Sequence, residues 1–165
     1  MKQPHILLAA NNLNKMKDNL KSILDVQAMD TIDKEIIRNT KEIYSLAYQH
    51  YLFSTALASQ FWRQIISRFY YAGYHSTRCV RFYVKGSFMT DSEDHKRFKE
   101  LPDDFPDRSM YINQLEILRE DRNLCDYDHT AKEDDLVLGR PDTKVLIEKL
   151  LQDVKTYMLS RGVRL

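Results

Sequence analysis

Glycine, proline and cysteine are scarce in this chain, and long apolar runs are missing. Its 165 residues include only four glycines and four prolines, and the Asn-Gly and Asp-Gly pairs that mark β-hairpins do not occur. Long segments with helical periodicity stand between the few breaks. The sequence therefore predicts an all-α protein.

The two cysteines and the lack of apolar runs bear on the compartment. Cys79 and Cys125 show neither a pairing pattern nor a metal-ligand spacing, so we expect reduced thiols. The apolar run from Ile6 to Ala10 is too short for a secretory signal, and no stretch approaches the ~20 apolar residues of a membrane span. These features predict a cytoplasmic protein.

An excess of charge of one sign is also missing. The chain has 25 Lys and Arg against 24 Asp and Glu, a net charge of +1, so any contact with nucleic acid must come from a local patch. Hydrophobic residues, at 43%, are sufficient for one core. We predict a single domain over residues 1–165, with its core at about 31–159 and a leader at 1–12.

Apolar residues that recur every three or four positions predict the helices. The breaks are expected at Asp30-Thr31, which offers capping side chains, at Ser59-Gln60 and at Gly86, a C-terminal stop. The predicted helices are Leu13 to about Met29, Ile32 to Leu57, Phe61 to Lys85, a short accessory helix from Thr90 to Leu101, Tyr111 to about Asp128, and Asp142 to about Leu159.

The central segment, Phe61 to Lys85, is the densest in core residues, and Ala72, Gly73 and Ser76 would let a second helix approach closely. For His75 we prefer a structural role over a catalytic one. The arginines of this segment form either a phosphate-facing rim or the solvent side of the helix. They are Arg63, Arg68, Arg78 and Arg81. Two later helices have predicted buried sides: Ile112, Leu115, Leu118 and Cys125, then Val145, Leu146, Lys149, Leu150, Val154 and Tyr157.

A segment late in the chain carries the residues of chemical interest. If the helix continues through it, Arg119, Arg122, Asp126 and His129 fall on one stripe, with Arg122 and His129 about 10 Å apart along the axis. Arginine binds phosphate with a planar fork of donors and histidine transfers protons near neutral pH, which suggests RNA phosphodiester chemistry. On spacing alone, an ordinary ion pair between Arg122 and Asp126 on a solvated face is the preferred interpretation.

Four features together resemble the HEPN (higher eukaryotes and prokaryotes nucleotide-binding) superfamily. They are the aromatic-rich stretch from Ser67 to Arg78, the glycine that ends this helix at Gly86, the Ser-x-x-His spacing from Ser92 to His95, and the segment from Leu118 to Asp128. The likeness covers roughly Lys41 to Met158. RNA-cutting members carry an arginine, usually followed by a polar residue, then a histidine after four to six positions. This motif is matched by Arg122, Asn123 and His129, with six residues between the arginine and the histidine.

The resemblance implies an up-and-down four-helix bundle, here with an extra N-terminal helix and the accessory helix. It also implies a homodimer in which one subunit's His129 approaches the other's Arg122. The expected activity is metal-independent RNA cleavage that leaves 2′,3′-cyclic phosphate and 5′-hydroxyl ends, with no cofactor. Such a nuclease would belong to a toxin–antitoxin or phage-defence system, and we expect an antitoxin, inhibitor or trigger as partner.

Secondary site residues and alternatives complete these expectations. Arg119, Tyr127 and Asp126 are weaker candidates for substrate binding. Some family toxins have a tyrosine two residues after the histidine that receives adenylate, but Ala131 stands there, so this regulation is not expected. Tyr127 could stack on a base or pack in the core, and we prefer packing.

The alternative function is a non-catalytic module that binds a nucleotide or protein, and a third possible function is assembly of a larger complex.

Overall fold

The computed structural model describes residues 12–87, 97 and 100–165, and over these residues the chain contains five α-helices and no β-strand. The helices are α1 Leu13–Leu20, α2 Val26–Ala56, α3 Trp62–Lys85, α4 Arg108–Tyr127 and α5 Gly139–Leu159. The prediction of an all-α fold is confirmed. In the part of the chain described, no helix has both the length and the apolar character needed to cross a membrane.

Helix α3 is the centre of the fold, and α2, α4 and α5 all pack against it. Its predicted core residues are buried, among them Ile65, Phe69 and Cys79. Gly73 lies where α4 and α5 approach: a Cβ there would come within 3.0 Å of side-chain atoms of both Leu115 and Ile147. The prediction of a central helix with a small-residue contact is therefore confirmed.

The first two helices divide differently from the prediction. α1 ends at Leu20, and α2 begins at Val26 because Asp25 supplies the cap, its carboxylate accepting the Ala28 N–H at 2.7 Å. Thr31 lies inside α2, where its hydroxyl donates to the Gln27 carbonyl. Residues 1–11 of the expected leader lie outside the described residues, whereas Asn12 caps α1.

The predicted breaks around α3 are present. The Ser59–Phe61 segment is a short 3₁₀ turn, and Gly86 ends α3 in the left-handed conformation at φ 64°. A Cβ at Gly86 would lie 2.7 Å from the Asn14 backbone nitrogen, so only glycine fits. The expected accessory helix falls mostly on residues 88–96 and 98–99, outside the described residues. Leu101 at its end is buried and not helical.

Helix α5 begins at Gly139, three residues before the expected Asp142, because Pro141 fits in a first turn, where its missing N–H costs nothing. Part of its predicted stripe is wrong: Val145 is 63% exposed, and Lys149 is exposed and paired with Asp107 and Asp153. The side turned to the core is rotated accordingly and includes Thr143, Leu146, Ile147, Leu150, Leu151, Val154, Tyr157 and Met158.

Helix α4 begins three residues before the expected Tyr111 and ends one before Asp128. On its predicted inner side Leu115, Leu118 and Cys125 are buried, while Ile112 is only partly so. Burial raises the pKa of the Cys125 thiol to about 12, and Cys79 is likewise buried and free. The C-terminal end of α4 positions the residues that the sequence analysis selected.

Candidate functional site

Arg122 projects from the last two turns of α4 and is held by side chains on its own helix. Its Nε lies 2.8 Å from a carboxylate oxygen of Asp126, and one terminal nitrogen donates to the Asn123 side-chain oxygen at 3.3 Å. The Arg122 side chain is 18% exposed and that of Asp126 25%. The ion pair that spacing alone favoured is therefore formed, between a half-buried Arg122 and an Asp126 on the outer surface of α4.

Three tyrosine rings surround the Arg122 guanidinium. Its central carbon lies 5.5 Å from the ring centre of Tyr70, 5.7 Å from Tyr71 and 5.5 Å from Tyr127. It also donates to the Tyr71 hydroxyl at 3.2 Å and to the Tyr127 hydroxyl at 3.5 Å. Burial opposes the charged form, but Tyr127 and Asp126 outweigh it and raise the pKa of Arg122. The Arg122 side chain is therefore a fixed cation surrounded by three tyrosine rings, an arrangement that we call the seat of Arg122.

His129 does not lie on the predicted stripe. Helix α4 ends at Tyr127, and Asp128 leaves the helical conformation at φ −98°, ψ 104°. The Asp128 carboxylate then accepts the backbone N–H and the hydroxyl of Thr130, which shapes a turn and lowers the pKa of that carboxyl. His129 is exposed on this turn. The prediction that Arg122 and His129 project from one helical face is wrong.

Arg63 of α3 fixes the position of the turn, a role that sequence analysis did not assign. Its guanidinium donates to the carbonyls of Cys125 at 2.8 Å, Asp128 at 2.7 Å and Ala131 at 2.6 Å, with a longer contact to Leu124. These carbonyls belong to the last turn of α4 and to the segment beyond it, where helix geometry leaves acceptors unsatisfied. One side chain thus connects the helix end to the segment that carries His129.

The remaining candidate residues lie on α4 with contacts of their own. Arg119 pairs with Glu116 at 3.1 Å, one turn from Arg122. Asp126 is engaged by Arg122, and as a carboxylate it repels rather than binds a phosphate. Tyr127 is 75% exposed, so the preferred interpretation of core packing is wrong. Its ring stands open to solvent beside the Arg122 guanidinium.

The arginines of α3 divide between different surroundings. Arg81 is 1% exposed, so it belongs neither to a phosphate-facing rim nor to the solvent side. Arg63 binds backbone carbonyls, as above. Arg68 lies over the ring of Phe53, 5.6 Å from its centre, and Arg78 is partly buried.

A stack of rings joins Arg122 to α2, and the sequence analysis did not single it out. His50 of α2 lies parallel to His75, with ring centres 5.5 Å apart, and stacks on Tyr71 at the same distance. Tyr71 is also the ring whose hydroxyl contacts Arg122. His75 is 9% exposed, and the structural role preferred for it stays a prediction. Periodicity located α2 and α3 but not which of their polar faces meet.

Within residues 12–87, 97 and 100–165, no three His, Cys, Asp or Glu side chains come together as a metal site would require. Asp121, an acidic neighbour of Arg122 in sequence, has a different role. It is 2% exposed, and its two oxygens accept the N–H groups of Val137 and Leu138 at 2.9 Å each. This carboxylate fixes the chain that leads into α5.

Comparisons of the chain with protein-family models, curated proteins and solved structures gave no match. The resemblance to the HEPN superfamily thus stays an expectation drawn from the sequence.

Proposed function

We propose that this protein is a metal-independent endoribonuclease related to the HEPN superfamily, working as a homodimer in a toxin–antitoxin or phage-defence system. The observation that supports it best is the seat of Arg122: a guanidinium fixed among three tyrosines, with Asn123 beside it. A fork of donors in such a place can bind the oxygens of a phosphodiester and stabilise the charge that develops during attack.

In the proposed reaction, His129 accepts the proton of a ribose 2′-hydroxyl, and that oxygen attacks the adjacent phosphorus. The bond to the 5′-oxygen breaks, the leaving oxygen gains a proton, and the products are a 2′,3′-cyclic phosphate and a 5′-hydroxyl. Arg122 binds the phosphate, and Asn123 orients Arg122 or contacts a phosphate oxygen.

The dimer supplies a reason for the exposed position of His129. The turn that carries it lies beyond the end of α4, open to solvent, where a second subunit related by a two-fold axis can approach. We propose that one subunit provides Arg122 and the other provides His129 to each site.

The first test is cleavage of a mixed RNA in excess EDTA by the parent protein, Arg122→Ala, His129→Ala and the control Arg38→Ala. Arg38 is an exposed arginine of α2 paired with Glu35 and Glu42. Cleavage by the parent and the control alone, leaving cyclic-phosphate ends, supports the proposal. If the parent cuts nothing across several RNAs, or if both site variants cut normally, the proposal fails.

Co-expression of the two inactive variants tests the composite site. A mixed dimer contains one intact pair, because the Arg122→Ala subunit contributes His129 and the His129→Ala subunit contributes Arg122. Random pairing makes half of the dimers mixed, so we expect about a quarter of the parent activity. If activity does not return while the parent is active, each site belongs to one chain.

The second candidate is a non-catalytic module that binds RNA, a nucleotide or a protein. The observation that favours it is the ion pair of Arg122 with Asp126, which already places an anion 2.8 Å from the guanidinium in the unbound chain. Binding of RNA without cleavage, weakened by Arg122→Ala and unaffected by His129→Ala, would select this alternative.

A further inference from the structure

A second surface lies next to Arg122, in a groove between α2 and α3. The groove has a volume of about 270 Å³ and is lined by Leu46, Gln49, His50, Phe53 and Arg68. This is below the ~300–1,000 Å³ of pockets for drug-sized ligands, so it suits a single ring system. Phe53 is 52% exposed and Leu46 40%, which leaves apolar surface open to an occupant.

The charge of the groove suits an anionic ligand that carries a flat ring. Arg68 lies over Phe53, and among the residues described no carboxylate is within ion-pair distance of its guanidinium. Burial and the nearby Arg68 lower the pKa of His50, and its ring offers a flat surface. Gln49 adds an amide that can donate and accept hydrogen bonds.

The neighbouring groove between α2 and α5 provides a contrast. It is rich in tyrosine, and its lining includes Lys155 and Glu148, which accepts a hydrogen bond from Tyr51. An anion is therefore favoured more in the groove of Arg68, where the lining holds a cation and no carboxylate, than in the groove between α2 and α5, where the charges of Glu148 and Lys155 offset each other.

Tyr71 links the groove to Arg122 through its contact with His50, one of the residues that line the groove. The Tyr71 hydroxyl contacts Arg122 at 3.2 Å, and its ring stacks on His50 at 5.5 Å. A strand with one phosphate at Arg122 can place its adjacent nucleotide over Tyr71 and into the groove. Cations and aromatic rings in alternation are the usual means of binding single-stranded nucleic acid.

We propose that the groove of His50, Phe53 and Arg68 binds the nucleotide next to the scissile phosphate of a single-stranded RNA, with its base on Phe53 and a phosphate on Arg68. This inference rests on the proposed nuclease function, and it assigns residues of α2 to substrate binding.

The test measures binding apart from cleavage. A fluorescent 2′-O-methyl RNA oligonucleotide lacks the attacking hydroxyl, so its anisotropy reports affinity without turnover. The variants are Phe53→Ala and Arg68→Gln. The control is the double variant Tyr48→Ala, Lys155→Gln, which removes a partly exposed ring and a cation from the groove that Glu148 lines.

We expect Phe53→Ala to weaken binding by about tenfold or more, as loss of one base-stacking ring does, and the control to bind like the parent. Arg68→Gln should weaken binding severalfold and reduce its salt dependence, because one phosphate contact is lost. In cleavage of unmodified RNA, both variants should raise KM more than they lower kcat.

The outcomes separate this inference from the nuclease proposal. A parent that cuts RNA, with Phe53→Ala and Arg68→Gln binding and cutting like it, overturns the groove assignment and leaves the nuclease. It would then favour a protein partner as occupant. A parent that cuts no RNA, with binding that both variants weaken, supports the groove and overturns the nuclease. Equal binding by variants and control, or none by the parent, overturns the groove.

Discussion

Two arginines near the C-terminal end of α4 make opposite kinds of contact. Arg63 reaches from α3 and donates to backbone carbonyls on either side of the helix end. Among the described residues, the polar contacts of Arg122 are instead with side chains: a carboxylate, an amide and tyrosine hydroxyls. Carbonyls at a helix terminus have few other partners. The contacts of Arg63 are therefore part of the fold, while those of Arg122 can be exchanged for a ligand.

The same division applies to the two carboxylates of this segment. Asp121 is buried and bound to two backbone N–H groups, and Asp126 lies on the outer surface beside Arg122. Asp121, which binds main-chain groups, thus stabilises the fold. Asp126, which binds a side chain, belongs to the candidate site. Three substitutions can sharpen or break this comparison.

The largest effect is expected for Arg63→Ala. Several carbonyls lose a charged donor, so we expect the free energy of unfolding to fall by about 2–4 kcal/mol, measured by urea denaturation. Arg63→Lys should recover part of it, because an ammonium cannot span all the carbonyls. The control Arg38→Ala, on an exposed face, should cost less than about 1 kcal/mol. Equal losses in Arg63→Ala and Arg38→Ala would contradict the role given to Arg63.

Arg63→Ala also tests the positioning of His129. At a temperature where the variant is folded, kcat for RNA cleavage should fall because the turn is no longer held. Affinity for the 2′-O-methyl oligonucleotide should remain, since Arg122 keeps its own contacts. Loss of kcat and of oligonucleotide affinity together would indicate general unfolding. An unchanged kcat would show that the turn keeps its position without Arg63.

An intermediate effect is expected for Asp121→Asn. The amide places an NH₂ group against a backbone N–H that the carboxylate satisfied, and an unsatisfied buried donor costs about 1–3 kcal/mol. The control Asp128→Asn changes a carboxylate that also accepts a backbone N–H but is only half-buried, so a smaller loss is expected. Thermal unfolding of the two variants makes the comparison. A larger loss of stability in Asp128→Asn than in Asp121→Asn would contradict this prediction.

Sequence reasoning succeeded where local signals decide the structure. Gly86 ends α3 through its own backbone preference, and the core face of α3 follows from the spacing of Ile65, Phe69 and Cys79. It placed the end of α4 within one residue, but the continuation of the stripe to His129 was wrong, because no glycine or proline indicates the turn beyond the helix. There the chain leaves the helix while Arg63, more than 60 residues away in sequence, binds its carbonyls. A contact between residues so far apart in sequence cannot be predicted from the spacing of apolar residues.

The site was predicted in part for the same reason. The pairing of Arg122 with Asp126 follows from helix spacing and is present. The rings around Arg122 come from α3 as well as α4, and His50 comes from α2, so their meeting depends on how the helices pack. Tyr127 was misjudged because an aromatic residue near a helix end is apolar enough for the core, and only the packed structure leaves it exposed.

The smallest effect on stability, and the most informative about Arg122, is expected for Asp126→Asn. The variant loses an ion pair on the outer side of α4, so the free energy of unfolding should change by less than about 1 kcal/mol. RNA affinity should rise severalfold at low salt, because Arg122 no longer has a competing anion 2.8 Å away. The control Glu116→Gln frees Arg119 one turn earlier and should raise affinity less. If Asp126→Asn destabilises the protein as much as Arg63→Ala and leaves RNA binding unchanged, Arg122 is a structural guanidinium like Arg63, and the site would have to lie elsewhere.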